Sequence, residues 1–106
     1  MAERTPLQTT IERAARELPG VVGAADGDAV SYAIGGRRFA VVRGDRAAFR
    51  LRPEIGEAAA RTPDVGAASE GPGWVELAPS SLDRFALDRA EAWFVSACRH
   101  AGEDAV

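Results

Sequence analysis

The chain has 106 residues and a mass of 11.2 kDa, so residues 1–106 are expected to form a single domain. Its 13 basic residues are all arginine and are outnumbered by 16 acidic residues, which gives a formal net charge of −3 and speaks against indiscriminate nucleic-acid binding. No apolar run approaches about 18 residues, residues 1–6 lack the apolar core of a signal peptide, and a single cysteine excludes an internal disulfide framework. We therefore expect a cytoplasmic protein without a membrane span.

The first predicted element is a helix that begins at Pro6. Apolar residues recur there at helical spacing and form one stripe, namely Leu7, Ile11, Ala14, Ala15 and Leu18. Thr5 suits the N-cap position and Pro6 the first helical position, and Pro19-Gly20 ends the pattern. The sequence therefore predicts an amphipathic N-terminal helix.

Three strands joined by tight turns are predicted next. Alternating apolar and polar residues indicate strands at Val30–Ile34, Arg37–Val42 and Ala47–Arg52, with glycines in the two connections. Connections this short permit only an antiparallel meander. The residues expected to face its core are Phe39, Val41, Phe49 and Leu51. The preceding segment Val21–Asp28 is interpreted as a loop, with a short edge strand as the alternative.

The second half of the chain combines two helices with one further strand. The expected elements are a helix over Pro53–Thr62, a turn over 62–66, a loop over 67–73, a strand over Trp74–Ala78, a helix over Asp83–Ala101 and a frayed end over 102–106. The order α-β-β-β-α-β-α predicts the α+β class. We expect a four-stranded, mostly antiparallel sheet with the N- and C-terminal helices packed on one face.

Several short motifs occur in an order that resembles a known family. They are Leu18-Pro19-Gly20-Val21, Gly36-Arg37-Arg38-Phe39-Ala40, Leu51-Arg52-Pro53-Glu54, Thr62-Pro63-Asp64-Val65, Gly73-Trp74-Val75-Glu76-Leu77, Leu82-Asp83 and Phe94-Val95-Ser96-Ala97. This order resembles the MmcQ/YjbR-like family, which shares a fold with the CyaY/frataxin group, over roughly residues 7–101. The resemblance implies a small stand-alone protein, and DNA binding through the sheet face has been proposed for such proteins on fold grounds. A fold alone does not carry a function.

Positive charge is concentrated in one segment of the predicted sheet. Residues 37–52 hold six arginines and one aspartate, a net charge of +5 within a chain of −3. Strand alternation is expected to turn Arg38, Arg50 and Arg52 away from the core, with Arg46 at the turn. Because each guanidinium can bind two phosphate oxygens, these four are the candidate nucleic-acid-binding residues. The alternative is that they form the ordinary solvated face of an antiparallel sheet.

Two binding functions remain open from these residues, and an unrecognised enzyme ranks third because no acid–base or nucleophile set assembles. The leading hypothesis is a small non-enzymatic binding module whose arginine face contacts the phosphate backbone of DNA or RNA. The alternative is a protein-interaction or regulatory adaptor, in which the same face meets an acidic protein partner through Ala40, Val42 and Ala48 between the arginines. We expect a monomer in either case.

Residues that could carry catalysis are scarce. Cys98 lies on the apolar stripe of the last helix, and His100 lies about 200° around the helix from it, which is poor geometry for a nucleophile pair. A lone histidine does not make a metal site, and no Gly-x-Ser-x-Gly or phosphate-loop motif is present. We expect no catalytic residue, metal or cofactor. Trp74 is either a core anchor or partly exposed at a cleft.

Overall fold

A computed structural model describes residues 4–104 and shows one antiparallel sheet covered by helices. The elements in chain order are α1 (Pro6–Glu17), β1 (Val21–Asp26), β2 (Ala29–Ile34), β3 (Arg37–Arg43), β4 (Arg46–Arg50), α2 (Pro53–Ala60), β5 (Val65–Ala67), β6 (Trp74–Leu77) and α3 (Arg84–Asp104). The strands lie in the order β1-β2-β3-β4-β6-β5. The predicted α+β class is confirmed. No helix within the described range is long and apolar enough to span a bilayer.

The sheet has six strands, so the expected four-stranded sheet and its order of elements are wrong. The predicted meander is present as β2, β3 and β4, and Gly35 and Gly36 in its first turn have φ of 58° and 78°, values that glycine adopts freely. The two additional strands are the edges. β1 forms where a loop or a short edge strand was expected, and β5 forms where a turn and a loop were expected. Both consist mostly of small residues that bury little surface, so their hydrophobic alternation is weak.

The first helix forms as its capping residues predict. The Thr5 hydroxyl accepts a hydrogen bond from the Gln8 backbone N–H at 3.1 Å, and the Gln8 side-chain oxygen accepts one from the Thr5 N–H at 2.9 Å. This reciprocal capping box satisfies two backbone donors that the first helical turn leaves unpaired. The helix ends at Glu17, and Leu7, Ile11 and Ala14 are its buried residues.

A β-bulge interrupts the pairing of β3 with β2. The pairing passes directly from Tyr32 opposite Ala40 to Ala33 opposite Arg38, so Phe39 has no partner of its own. One extra residue in a strand reverses the alternation of side chains on one side of it. The bulge therefore decides which residues of β3 face the helices.

The alternation predicted for β3 is corrected by this bulge. Ala40 and Val42, which were expected on the open face, belong to the buried core cluster together with Phe39. Val41, which was expected in the core, lies outside that cluster. Only Ala48 of the three apolar residues expected between the arginines lies on the side away from the core cluster. A bulge needs no special residue at this point, which is why the sequence pattern did not indicate it.

One core cluster joins the sheet to all three helices. Phe94 of α3 lies at its centre, with ring centroids 5.2 Å from both Tyr32 and Phe39. The helix α1 contributes Leu7 and Ile11 to the cluster, and α2 contributes Ala59. We call the side of the sheet that carries this cluster the core face.

Apart from Val41, the large residues expected in the core belong to it or pack against it. Phe39, Phe49, Leu51 and Phe94 are buried, and Trp93 is half-buried against the cluster. The two other helices differ from expectation at their ends. The helix α2 stops at Ala60 rather than Thr62, and α3 continues through residues 102–104, which were expected to fray. Residues 105–106 lie outside the described residues.

Candidate binding surface

The side of the sheet opposite the core face carries most of the arginines of β3 and β4, and we call it the outer face. Residues that pair across neighbouring strands share a face, so the strand register assigns its members. In chain order they are Val22, Ala24, Asp26, Ala29, Ser31, Ala33, Arg38, Val41, Arg43, Arg46, Ala48, Arg50, Gly66, Trp74 and Glu76.

One end of the outer face brings two arginines to Trp74. Arg50 pairs with Trp74 across β4 and β6, and the Cζ atom of Arg38 lies 5.6 Å from the centroid of the Trp74 ring. A guanidinium over an indole at a solvent-accessible site contributes about 0.5–1 kcal/mol. Arg38 is exposed and Trp74 is half-buried. We call Arg38, Arg50 and Trp74 the tryptophan corner.

A cleft of about 410 Å³ opens beside the tryptophan corner. It lies between α2 and the start of β6, and its lining is mostly apolar, with Glu57 as the charged residue among those that form it. Trp74 contributes to this lining and to the outer face, so the alternative in which it is partly exposed at a cleft is confirmed.

At the opposite end of the outer face, a buried glutamate forms an ion pair with an arginine. Glu70 belongs to the loop between β5 and β6, and its side chain is only 3% exposed. Its Oε2 atom accepts a hydrogen bond from Nη2 of Arg43 at 2.6 Å, whereas its Oε1 atom is buried without a hydrogen-bond partner. The loop therefore folds back over the outer face and fixes one of its arginines within the molecule.

Glu70 also offsets a repulsion built into the sheet. Arg43 and Arg46 are direct partners across β3 and β4, and like charges in that position destabilise an antiparallel pair. The carboxylate on Arg43 reduces this repulsion. Arg46 stays exposed at the start of β4.

Arg52 does not join the other predicted residues. It occupies the N-cap position of α2, and its Nη2 atom forms an ion pair with Oε2 of Glu103 in α3. The expectation that Arg52 stands on an open face with Arg38 and Arg50 is therefore wrong. The strand ends at Arg50, so alternation no longer sets the direction of a side chain two residues later.

The four predicted residues thus fall in three places. Arg38 and Arg50 meet at the tryptophan corner. Arg46 begins the strand that Arg50 ends, about 13 Å away at the usual rise of an extended chain. Arg52 is engaged by the helical layer.

Carboxylates balance much of the positive charge of the outer face. Its four arginines are accompanied by Glu76 on β6, by Asp26 at the end of β1 and by Glu70 from the loop. Glu76 occupies a central position, because it pairs with Ala48. The +5 charge of residues 37–52 therefore does not become a strongly basic surface in the folded chain.

Sequence reasoning missed two features of this surface. The ion pair between Glu70 and Arg43 joins residues 27 positions apart, and no local spacing indicates it. The contact between Arg38 and Trp74 spans the sheet in the same way. An available signal was the composition of the loop 67–73, in which Glu70 is the only charged residue among small ones.

Cys98 and His100 lie in α3, away from the outer face. Cys98 is buried, and this burial raises the pKa of its thiol, with a smaller opposing effect from Arg99. A raised pKa lowers the fraction of the thiol that is ionised at neutral pH, and the thiolate is the form that acts as a nucleophile. Among residues 4–104, no three histidine, cysteine, aspartate or glutamate side chains are grouped so that they could hold a metal ion.

Comparisons of the chain with protein-family models, with curated proteins and with solved structures found no match. The resemblance to the MmcQ/YjbR-like family stays a prediction.

Proposed function

We propose that the protein is a non-enzymatic binding module that docks a partner protein on its outer face. The observation that carries this proposal is the composition of that face, where arginine and tryptophan meet at one corner and carboxylates balance the remaining arginines. Tryptophan and arginine are enriched among the residues that dominate binding energy in protein interfaces. A mixed pattern of charges selects a partner with the complementary pattern.

The same balance of charge disfavours duplex nucleic acid. Binding to a phosphate backbone draws its free energy from released counterions and requires several cations that are free to contact phosphates. Arg43 is held by Glu70 and Arg52 by Glu103, while Glu76 lies in the middle of the face. We therefore infer that the partner protein places acidic side chains opposite Arg38 and Arg46.

Site-specific crosslinking tests the docking proposal. A photoreactive phenylalanine analogue replaces Arg46, and a control protein carries it in place of Arg84, which is exposed on α3. We expect one defined protein to be crosslinked from position 46 and not from position 84. The additional change Arg38→Glu should abolish that crosslink without lowering the melting temperature by more than a few degrees. Equal capture from both positions, or capture that survives Arg38→Glu, would contradict the proposal.

Single-stranded nucleic acid is the second candidate, and one observation favours it. The tryptophan corner offers an indole for base stacking next to the exposed guanidinium of Arg38, and single-strand binding combines aromatic stacking with positive charge. Such binding would be weak and largely independent of sequence, with each lost arginine contact lowering the salt dependence by about one unit of slope.

Fluorescence anisotropy with short oligonucleotides separates the two candidates. The test variant is Arg38→Ala/Arg46→Ala/Arg50→Ala, and the matched control is Arg84→Ala/Arg89→Ala/Arg99→Ala, which removes the same charge from the exposed side of α3. Single-stranded nucleic acid would be favoured over a partner protein if the unmodified protein and the α3 control bind a single strand at low salt while the outer-face variant does not. Absence of binding by the unmodified protein, or equal binding by both variants, would remove nucleic acid as a candidate.

A further inference from the structure

Within residues 4–104, β1 is an edge of the sheet with few of the features that protect edge strands. It pairs with β2 on one side, and no strand within residues 4–104 pairs with its other side. Five of its six residues are exposed, and its only charged residue is Asp26 at the end. Natural edge strands are usually shortened, charged or interrupted by proline, because their free N–H and C=O groups pair readily with another chain. The other edge, β5, has three residues and follows Pro63.

A groove runs along this edge on the core face. It has a volume of about 340 Å³ and lies between β1 and α1. The helix α3 packs on β2, β3 and β4, whereas α1 packs against β1. Val21, Gly23 and Ala25 form the β1 side of the groove, and Ala15 and Arg16 belong to the wall formed by α1.

The Tyr32 ring forms the floor of the groove beneath Gly23. Gly23 pairs with Tyr32 on β2, and a Cβ atom at position 23 would lie 3.1 Å from Cε1 of the Tyr32 ring. The absence of a side chain at Gly23 therefore lets the ring pack under the strand. The small side chain of Ala25 fills little of the remaining space. An added strand could place one apolar side chain there, because alternate residues of a strand point to the same face.

The α1 wall of the groove carries positive charge. Glu12 lies between Arg4 and Arg16 and forms ion pairs with both. Two guanidinium groups thus share one carboxylate, and the side chain of Arg16 is 77% exposed. Arg13 lines the adjoining surface with these residues and pairs with Glu91 of α3. A further carboxylate would complete the pairing of Arg4 and Arg16.

We propose that β1 and its groove bind an extended acidic peptide segment, which adds to the sheet as a seventh strand. Main-chain hydrogen bonds to β1 would supply affinity, and side chains two residues apart would supply specificity. One apolar side chain enters the groove, and an acidic side chain two positions away pairs with Arg16 and Arg4. These residues are separate from the tryptophan corner, so this proposal does not depend on the docking proposal for the outer face.

A labelled heptapeptide provides the probe. The sequence Ser-Glu-Thr-Val-Thr-Glu-Ser places valine and both glutamates on one side of an extended strand. A first control peptide replaces both threonines with proline, which removes two N–H donors and disfavours strand pairing. A second control replaces both glutamates with lysine. We expect saturable anisotropy with the first peptide and at least tenfold weaker binding of each control.

Two pairs of variants place the binding at the groove. Ala25→Leu fills the groove, whereas Ala24→Leu adds the same side chain to the outer face of the same strand. Arg16→Glu reverses a charge on the groove wall, whereas Arg84→Glu makes the same change at the start of α3. We expect Ala25→Leu and Arg16→Glu to weaken binding at least tenfold and both controls to change it less than twofold. Circular dichroism should show that all four variants keep the fold.

Several results would overturn the proposal. They are absence of saturable binding by the unmodified protein, binding of the proline peptide as tight as that of the first peptide, or equal effects of Ala24→Leu and Ala25→Leu. Sedimentation of the unmodified protein as a dimer, with Ala25→Leu sedimenting as a monomer, would show that a second copy of the chain occupies the edge. That result would also overturn the proposal that an acidic peptide binds there.

Discussion

The two faces of the sheet are made by the same strands and serve different purposes. On the core face, Phe39 and Phe49 are fully buried and surround Phe94 and Trp93 of α3 together with Tyr32. On the outer face, the neighbouring positions carry arginines whose partners are a tryptophan ring and a loop carboxylate. Apolar burial contributes most to stability, while exposed charged groups contribute little. The exposed Arg38 and Arg46 of the outer face can therefore be altered to test function while the fold persists.

The middle of the outer face shows where this division is incomplete. Val41 and Ala48 pair with each other and lie outside the core cluster, yet each is only 1% exposed. The arginine side chains around them and the loop carrying Glu70 lie on the same side of the sheet. Long arginine side chains cover apolar surface with their methylene groups while the charged end stays in water. The outer face is therefore a partly covered surface, and its loop belongs to its structure.

The largest expected effect lies on the core face. Phe39→Ala should lower the free energy of unfolding by about 3–5 kcal/mol, because it removes a fully buried ring in contact with Phe94 and leaves a cavity. Urea denaturation followed by circular dichroism measures the change. Phe85→Ala is the control, because Phe85 is 79% exposed and its truncation should cost less than about 1 kcal/mol. A cost for Phe39→Ala similar to that for Phe85→Ala would contradict the assignment of the core face.

The ion pair on the outer face should respond unequally to the loss of either partner. Arg43→Ala leaves the buried Glu70 carboxylate unpaired and should cost about 2–3 kcal/mol. Glu70→Ala should cost only about 1 kcal/mol, because the side chain of Arg43 is 43% exposed and stays solvated. The double variant should then be more stable than Arg43→Ala alone. Denaturation of the three variants checks this order, and equal costs for the two single changes would show that the pair is not buried.

Local signals in the sequence were sufficient for several elements. The Thr5 and Pro6 pair fixed the start of α1, and Gly35-Gly36 fixed the turn that sets the meander. Each of these elements is decided within a few residues, by a cap or by positive φ values that glycine tolerates. The same patterns predict the aromatic residues of the core, because large apolar side chains are most often buried.

The features that sequence reasoning missed depend on distant partners. The edge strand β1 is stabilised by pairing with β2 rather than by its own small side chains. The partners of Arg43 and Arg52 lie 27 and 51 positions away along the chain. The bulged residue Phe39 packs against Phe94 of α3, which is distant from it along the chain. Charge counted along a segment therefore overestimates the charge that a folded face presents.

The core face should also carry the alkaline pH dependence of stability. Burial raises the pKa of Tyr32, with a smaller lowering effect of Arg4, and burial likewise raises the pKa of Cys98. Both groups therefore ionise more readily in the unfolded chain than in the folded one. Stability from these groups is fully present below the pKa values of the unfolded chain, and it falls as pH rises above about 9. Urea denaturation between pH 7 and about pH 10.5 should show this fall, and Tyr32→Phe/Cys98→Ala should reduce its slope. An unchanged slope would assign the alkaline fall to other groups.

The smallest effect is expected at the tryptophan corner. Arg38→Ala removes an exposed guanidinium whose contact with Trp74 is worth about 0.5–1 kcal/mol, so the free energy of unfolding should change by no more than this amount. Arg38→Lys keeps the charge but loses the planar group that stacks on the ring, and it should fall between Arg38→Ala and the unmodified protein. Urea denaturation of both variants measures the difference. A loss of about 2 kcal/mol or more would mean that Arg38 supports the fold, and binding lost in Arg38 variants could then reflect unfolding. A loss within the expected range means that binding lost with Arg38→Glu reports on the outer face itself, because the core face that holds the fold together is left intact.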